Sequence, residues 1–538
     1  MEALKSAGYT GSIDPARALG DPALASSSAV RDALPPWLLA GSDAGLAALP
    51  ALLAAAHEAA RTARHAGPVP SGTPARILGL AAAALGPCVL PHDGVGNEAA
   101  LRLVARLLAE HGIDLSHPRA AAHLQPPPLT IAVAADALAS ASNASLDTFD
   151  SGGSALAAER WLIGILTGMA GLGTRADGVL TPGGSMSNLL GLLLARDAAA
   201  WRAGIDARRD GVGALRGAVV LCSELAHFSV HRACAALGLG EAAVRAVPTD
   251  AHRRMQPAAL ERMLRELAPG ETPLAIVATA GTTDFGSVDP LAEIAALAAP
   301  RNIWLHVDAA YGFGALFSDR LAPRLAGLAR ADSITLDLHK LGWQPAAASA
   351  LLVADAAAFA ALSREVAYLN PTDDADAGLD GLLGRSLQTT RRPDALKVVA
   401  TLLAHGRRGL GELVEICHDL ACHAERRILG EPELELVSPA VLTTVTFRYR
   451  ARARGGDRGR IEDEINGQLR RTLLERGLAL IGRTTARLAG PGSPERVCLK
   501  LTLLNPTCTP RDLDELVATV LEIGRSCDRA ADGRPAWR

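Results

Sequence analysis

The chain has 538 residues, of which 49 % are hydrophobic and 21 % charged, a globular balance with length for two or three domains or one large α/β domain with appendages. Its formal net charge is −3, which gives no electrostatic case for nucleic acid or an anionic membrane surface, and no apolar run of about 18 residues marks a membrane span. Residues 1–5 lack the basic-then-apolar order of a signal peptide. The eight scattered cysteines form no Cys-x-x-Cys pair, so a reduced, cytoplasmic compartment and no metal are expected.

Residues 1–70 are Ala-rich with helical spacing, broken at Pro35-Pro36 and between Pro68 and Pro74, which predicts helices needing a partner surface and a leader before about residue 25. An amphipathic helix is predicted over 97–112, and the triple proline at 126–128 marks a loop. From 155 to 355 helical stretches alternate with short apolar runs at 218–222, 275–279, 303–307, 333–336 and 350–353. Strands alternating with helices predict a largely parallel sheet covered on both faces. The polar segment 370–392 reads as a mobile loop. After a helix near 394–425, runs at 442–449, 461–476, 497–504 and 511–525 suggest a smaller α+β part. The expected division is an N-terminal helical arm (1–130), a large cofactor-binding domain (131–410) and a C-terminal small domain (411–538).

Lysine is nearly absent: only Lys5, Lys340, Lys397 and Lys500 occur, against abundant arginine. A lysine kept in such a background draws attention to amine chemistry, which a guanidinium does not supply.

Lys340 ends the run Asp332-Ser333-Ile334-Thr335-Leu336-Asp337-Leu338-His339-Lys340. At a desolvated strand end a lysine loses its proton and attacks an aldehyde; a lysine snorkelling to the surface is the alternative. The run Trp304-Leu305-His306-Val307-Asp308-Ala309-Ala310 ends another strand in an acid and two small residues. Asp308 suits a protonated pyridine nitrogen and Ala310 leaves room for a flat ring, whereas an isolated acid there otherwise caps a helix. The segment Thr181-Pro182-Gly183-Gly184-Ser185-Met186-Ser187-Asn188 leads glycines and hydroxyls into a helix. That makes a phosphate cradle, with Ser185 and Ser187 as added donors, or an ordinary Gly turn with a Ser cap. His227, after the strand at 219–222, sits where it can stack on a ring held by Asp308, and Thr279 can bond the cofactor or orient Asp308.

Taken together, the stretches 183–188, His227, 278–283, 306–310 and His339-Lys340 resemble the signatures of the group II pyridoxal-5′-phosphate (PLP) decarboxylases, relatives of the aromatic amino acid and glutamate decarboxylases, from about His117 to the C-terminus. The resemblance implies a fold-type-I α/β fold and a homodimer with an interfacial active site. It also implies PLP as cofactor, carried as a Schiff base on Lys340. Cofactor contacts are implied at Ser185, Met186 (through its backbone), Ser187, His227, Thr279, Asp308, Ala310, Asp337, His339 and Lys340, with catalytic roles for Lys340, His227, Asp308 and His339. His117-Pro118, 337–345, 367–371 and 504–507 resemble the diaminobutyrate and siderophore-type diamine-forming branch.

The implied reaction converts an L-amino acid to its amine and carbon dioxide. The low aromatic content, 3 %, favours a diamino or aliphatic substrate. Asp147 and Asp150 are candidates for a distal ammonium, and Arg391-Arg392 for the α-carboxylate. The family usually protonates Cα from a loop tyrosine, yet 372–390 holds none; the four tyrosines are Tyr9, Tyr311, Tyr368 and Tyr449. His227 or His339 then becomes the candidate donor, with water or Tyr368 as the alternative. Oxidative decarboxylation-deamination to an aldehyde, or an inactive PLP-fold binding protein, are the alternatives.

Overall fold

A computed structural model describes residues 43–452, 457–488, 490 and 492–531; the expected leader and the break at Pro35-Pro36 fall outside them. The described chain forms two compact units. The smaller, residues 43–66 and 73–113, consists of helices α1 (Asp43–Ala63), α2 (Pro74–Leu85) and α3 (Asn97–His111). Thr73 caps α2, its hydroxyl accepting the Arg76 N–H, and a proline fills the first helical position. Neither α2 nor α3 buries a side chain, so their apolar faces have no core of their own.

The larger unit covers residues 67–72 and 114 onward. A short strand, β1 (Ala120–Ala121), and helices α4 (Thr130–Ser142) and α5 (Ser154–Met169) precede the main sheet. That sheet is built from β2 (Asp177–Thr181), β3 (Ala218–Ser223), β4 (Val244–Val247), β5 (Thr272–Thr279), β6 (Trp304–Ala309), β7 (Ser333–Asp337) and β8 (Ser349–Val353). Its order is β2-β8-β7-β6-β5-β3-β4. Strands β4, β3, β5, β6 and β7 run parallel, and β8 is antiparallel to both its neighbours. Connecting helices are α6 (Gly184–Arg202), α7 (Ser229–Ala236), α8 (Pro257–Arg265) and α9 (Leu291–Ala298). Every residue of β7 and β8 is buried, as a strand covered on both faces requires; β8 accordingly reads as an apolar run from Ala350 to Val353, while β7 buries Ser333, Thr335 and Asp337 as well. The predicted mainly parallel fold is the observed one.

Helix α10 (Ala395–Leu429) then crosses to a second sheet, interrupted at Gly406, where φ is +61° and the backbone leaves helical geometry. The second sheet adds β9 (Leu434–Ser438), β10 (Thr444–Tyr449), β11 (Leu480–Arg487) and β12 (Glu495–Thr502) in the order β1-β11-β12-β10-β9, with helices α11 (Arg458–Glu475) and α12 (Pro510–Ala531). Strands β2, β4, β9 and β11 were not anticipated. β4 is an edge strand with an exposed Arg245, β9 is half-buried, and the second half of β11 is polar, with two threonines and two arginines; each lacks the continuous apolar run that marks a central strand.

The polar segment 370–392 contains a short helix, Thr372–Asp376, and is anchored in its second half. The Leu382 N–H donates to the Leu146 carbonyl at 2.8 Å and Arg385 pairs with Asp177 at 2.8 Å.

Candidate active site

Parallel strands deliver their C-terminal residues to one edge of a sheet, where loops part and leave a crevice. Here Thr279 ends β5, Asp308 is the second-last residue of β6 and Asp337 ends β7, while α6 starts beside them at Gly184. A cavity of about 310 Å³ opens among them, lined by Gly183, Ser185, Asn188, His227, Asp308 and Lys340, with Thr279, Ala310, Asp337 and His339 also on its wall. Of the ten expected site residues, eight face this cavity. Met186 and Ser187 lie just behind it: the Met186 N–H donates to the Gly183 carbonyl at 2.9 Å, and the fully buried Ser187 hydroxyl lies 2.6 Å from that of Thr181. One turn of α6 explains this, since successive helical residues are rotated by about 100°: beyond the opening Gly184, Ser185 and Asn188, three apart, share the cavity face.

The cradle has little spare room. A Cβ on Gly184 would fall 2.9 Å from Asp337 Oδ1 and 3.3 Å from Ala310 Cβ. Gly281, also on the cavity wall, has φ of +100°, and a Cβ there would meet the Gly312 nitrogen at 2.9 Å, so both its conformation and its surroundings call for glycine. The N–H groups of Gly184 and Ser185 lie in the first turn of a long helix, which itself supplies them no acceptor and favours an anion.

Lys340 Nζ lies 2.7 Å from Asp337 Oδ2, and Asp337 Oδ1 accepts the Ser349 hydroxyl at 2.5 Å. The Asp337 carboxylate is thus occupied by an ammonium and a hydroxyl. As an acceptor it offers a phosphate nothing, and its place in the site is as the ion partner of Lys340. His339 Nδ1 lies 3.1 Å from the Ala348 carbonyl. A carbonyl only accepts, so Nδ1 carries the proton and the neutral ring keeps its lone pair on Nε2. Burial and the Lys340 charge hold the His339 pKa below the usual imidazole value, against the pull of Asp337.

His227 has the opposite tautomer. Its Nδ1 receives the Ser229 backbone N–H at 3.3 Å and lies 2.8 Å from the Ser229 hydroxyl. Nδ1 therefore accepts and the proton sits on Nε2. Burial lowers its pKa, with Asp308 opposing and Lys340 assisting. Asp308 accepts the Asn188 amide at Oδ2, 2.8 Å, and the Ala310 N–H at Oδ1, 3.1 Å. Asn188 was not singled out from the sequence; the available signal was an amide inside an otherwise apolar helix, which burial obliges to find partners.

Other candidates are elsewhere. Arg391 is buried and pairs with Glu159 at 2.7 Å, and Arg392 pairs with Asp136 at 2.8 Å. Both arginines are spent on internal ion pairs and neither lines the cavity. Asp147 accepts the Ser151 hydroxyl at 2.9 Å; burial works against its ionisation, but bonds from Ser145 and Ser151 leave it below the usual carboxylate range. Neither Asp147 nor Asp150 lines the cavity. Tyr368 is 84 % exposed. Tyr311 does line the cavity, but its hydroxyl lies 2.7 Å from that of Thr443 and accepts the Thr443 N–H at 2.9 Å.

A phosphorylated pyridine aldehyde fits this donor set. The Thr279 hydroxyl is buried on the cavity wall with no protein partner among the described residues, which is costly unless a ligand completes it. The helix start suits a phosphate, the acid a ring nitrogen and the lysine an aldehyde.

Comparison with known proteins agrees. The model for the pyridoxal-dependent decarboxylase conserved domain matches residues 99–450. The chain is 44 % identical over 442 residues to an L-2,4-diaminobutyrate decarboxylase of Rhizobium meliloti (strain 1021), covering 82 % of this chain and 84 % of that one. It is 34 % identical to a protein of the same name from Acinetobacter baumannii, covering 82 % and 87 %. Among solved structures, the glutamate decarboxylase domain of a diaminobutyrate-pyruvate transaminase and L-2,4-diaminobutyrate decarboxylase from Vibrio parahaemolyticus superposes with a TM-score of 0.78 at 31 % identity, covering 90 % of this chain and 96 % of that one. The chain belongs to the pyridoxal-dependent decarboxylase family, with PLP as its cofactor and loss of carbon dioxide from an amino acid as its reaction.

Proposed function

We propose that the substrate is L-2,4-diaminobutyrate, released as carbon dioxide and 1,3-diaminopropane, and that the cavity around Lys340 is where this happens. The observation that carries the site is the meeting of Lys340, Asp308 and the start of α6 on one cavity; two relatives named for this substrate support its identity.

Bound PLP supplies a sink for the electron pair left when carbon dioxide departs. The chain's own groups serve it as follows. The Lys340 amine would hold the aldehyde carbon, and the Gly184 and Ser185 N–H groups with the Ser185 hydroxyl would hold the phosphate. Asp308 would keep a proton on the ring nitrogen. His227 offers the cavity an Nε2–H, whereas neutral His339 presents a lone pair. Of the two imidazoles, His227 is the one that carries a hydrogen on Nε2; to protonate Cα it would first take up a solvent proton and then return from the imidazolium to the neutral ring.

A substrate screen tests this reading, following amine, carbon dioxide and peroxide together. L-2,4-diaminobutyrate is expected to be turned over with a kcat/KM at least about a hundredfold above that of L-tryptophan, a gap typical where a site is built for a polar group. Amine is expected in step with carbon dioxide. A preference for the aromatic amino acid contradicts the substrate, and stoichiometric peroxide with aldehyde contradicts simple decarboxylation.

We further propose a homodimer in the cytoplasm. Leu78, Leu85 and Leu108 on α2 and α3 are each more than half exposed, an apolar surface that a second copy would cover, and all eight cysteines are free thiols. A solution mass of one 55.6 kDa chain, or recovery outside the cytosol on cell fractionation, contradicts these assignments.

A further inference from the structure

Beneath the cavity a line of polar side chains crosses from β7 and β6 to α6 and α7. Trp304 Nε1 donates to Ser333 Oγ at 2.8 Å, and Ser333 Oγ lies 2.8 Å from His306 Nδ1. His306 Nε2 lies 2.9 Å from Asn188 Oδ1, with the Thr335 hydroxyl 3.3 Å from the same nitrogen. Asn188 Nδ2 is 2.8 Å from both Asp308 Oδ2 and Ser229 Oγ. Ser229 Oγ in turn is 2.8 Å from His227 Nδ1. Asn188, His306, Ser333 and Ser229 are all buried.

The hydrogens along this line sort in one order. A carboxylate only accepts, so the Asn188 nitrogen faces Asp308 and its oxygen faces His306. His306 Nε2 must then carry a proton. Burial pushes the His306 pKa down to about 4 although Asp308 pulls the other way, so the ring is neutral at pH 7 and Nδ1 takes the Ser333 hydroxyl hydrogen. The freed Ser333 oxygen accepts the indole N–H, which only donates. On the other arm the second Asn188 hydrogen goes to the Ser229 oxygen, and the Ser229 hydroxyl goes to His227 Nδ1. A separate feature reserves the space for this imidazole: a Cβ on Gly191, one turn along α6, would lie 2.6 Å from His306 Cε1 and 2.7 Å from Nδ1.

We propose that Asn188 is a positioning residue that divides its two amide hydrogens between Asp308 and, through Ser229, His227, and that His306 with Ser333 keeps the amide from turning over. One junction thereby supports the carboxylate assigned to the ring nitrogen and aims a second donor, the Ser229 hydroxyl beside the Ser229 backbone N–H, at His227 Nδ1. A turned-over amide would set oxygen against carboxylate and break both arms at once. The proposal rests on the role given above to Asp308.

The test uses holoenzyme reconstituted with PLP labelled with nitrogen-15 in the ring, and reads the ring-nitrogen chemical shift, kinetics and melting temperature. Asn188→Leu keeps the volume and removes the amide. The ring-nitrogen signal is expected to move from the protonated toward the unprotonated pyridine position. A hydrogen bond to a charged group is being lost, so kcat should fall by about tenfold to a hundredfold with KM changed by less than about threefold. His306→Leu should move the signal the same way, while His306→Gln keeps a donor facing Asn188 and should retain the parent signal. Gly191→Ala touches no group on the cavity and replaces a helical glycine with the best helix former; it too should move the signal, by displacing the imidazole. Ser229→Ala cuts only the second arm and leaves the backbone N–H as the remaining donor to His227 Nδ1; it should shift the His227 Nδ1 signal by loss of one hydrogen bond while leaving the ring nitrogen as it was. A folded Asn188→Leu holoenzyme with an unmoved ring-nitrogen signal overturns the proposal, as does an unmoved signal in both His306→Leu and Gly191→Ala. Asp308→Asn serves as the control. If it moves the signal and Asn188→Leu does not, the positioning role fails alone; if it leaves the signal unmoved, the role of Asp308 itself has failed.

Discussion

Replacing Lys340 with alanine is expected to lower kcat by about a thousandfold or more, since a covalent anchor and a base are removed together. Lys340→Arg should do the same, because a guanidinium keeps the charge and gives up the nucleophilic amine. Stability should respond differently. Lys340 neutralises Asp337, whose side chain is 3 % exposed, at 2.7 Å. Lys340→Ala leaves that carboxylate with the Ser349 hydroxyl and, 3.7 Å away, the neutral His339 ring, and breaking such a pair costs about 3 kcal/mol. The double variant Lys340→Ala with Asp337→Asn removes the stranded charge and should recover most of the melting temperature with none of the activity. Thermal melts and steady-state kinetics on both proteins check this. An Asp337→Asn change that fails to raise the melting temperature above that of Lys340→Ala contradicts the pairing argument, and turnover within about tenfold of the parent contradicts the covalent role.

Asp308→Asn should be the next most damaging change. The side chain keeps its shape and can still present an oxygen to the Asn188 amide, now held at 2.8 Å. It loses the negative charge that keeps a proton on a pyridine nitrogen. We expect kcat to fall by about a hundredfold to a thousandfold while PLP stays bound, because the α6 helix start, Thr279 and Lys340 are untouched. Equilibrium dialysis of the cofactor beside kcat separates the two effects. Full activity in Asp308→Asn would remove the acid from the account, and loss of cofactor with unchanged kcat per bound PLP would make it an anchor only.

These expectations depend on residues with unequal visibility in the sequence. Lys340 stood out because the chain has four lysines, and Asp308 because a buried apolar strand ends in it. The Gly183-Gly184 turn announced a helix start, and the mainly parallel sheet followed from apolar runs long enough to be covered on both faces. The harder features are those set by partners distant along the chain. Arg391 reads as a candidate carboxylate ligand until Glu159, from α5, is seen to hold it at 2.7 Å. Ser187 reads as a phosphate donor until the rotation of α6 turns it toward Thr181. Asn188 closes the same motif, yet its role depends on His306, Asp308 and Ser229, which come from two other elements. His306 itself reads as one more residue of a buried strand, and only Gly191 across the interface shows that space was reserved for it. Strands β2 and β4 were illegible for a simpler reason: β2 opens on Asp177-Gly178 and β4 is a four-residue edge strand holding Arg245, so neither shows the apolar continuity of β5 or β8.

The central claim is that the amine at position 340 is the one joined to PLP. Borohydride reduction of the loaded enzyme, followed by mass mapping of its peptides, tests this most directly, and the scarcity of lysine makes the result easy to read. Lys397 pairs with Asp136 and Asp394 at 3.0 and 3.1 Å, and Lys500 with Asp284 at 2.8 Å, both amines buried. The account predicts one reduced pyridoxyl group per chain, on the peptide containing Lys340. The same label on Lys397 or Lys500, or no label on an active enzyme, contradicts it.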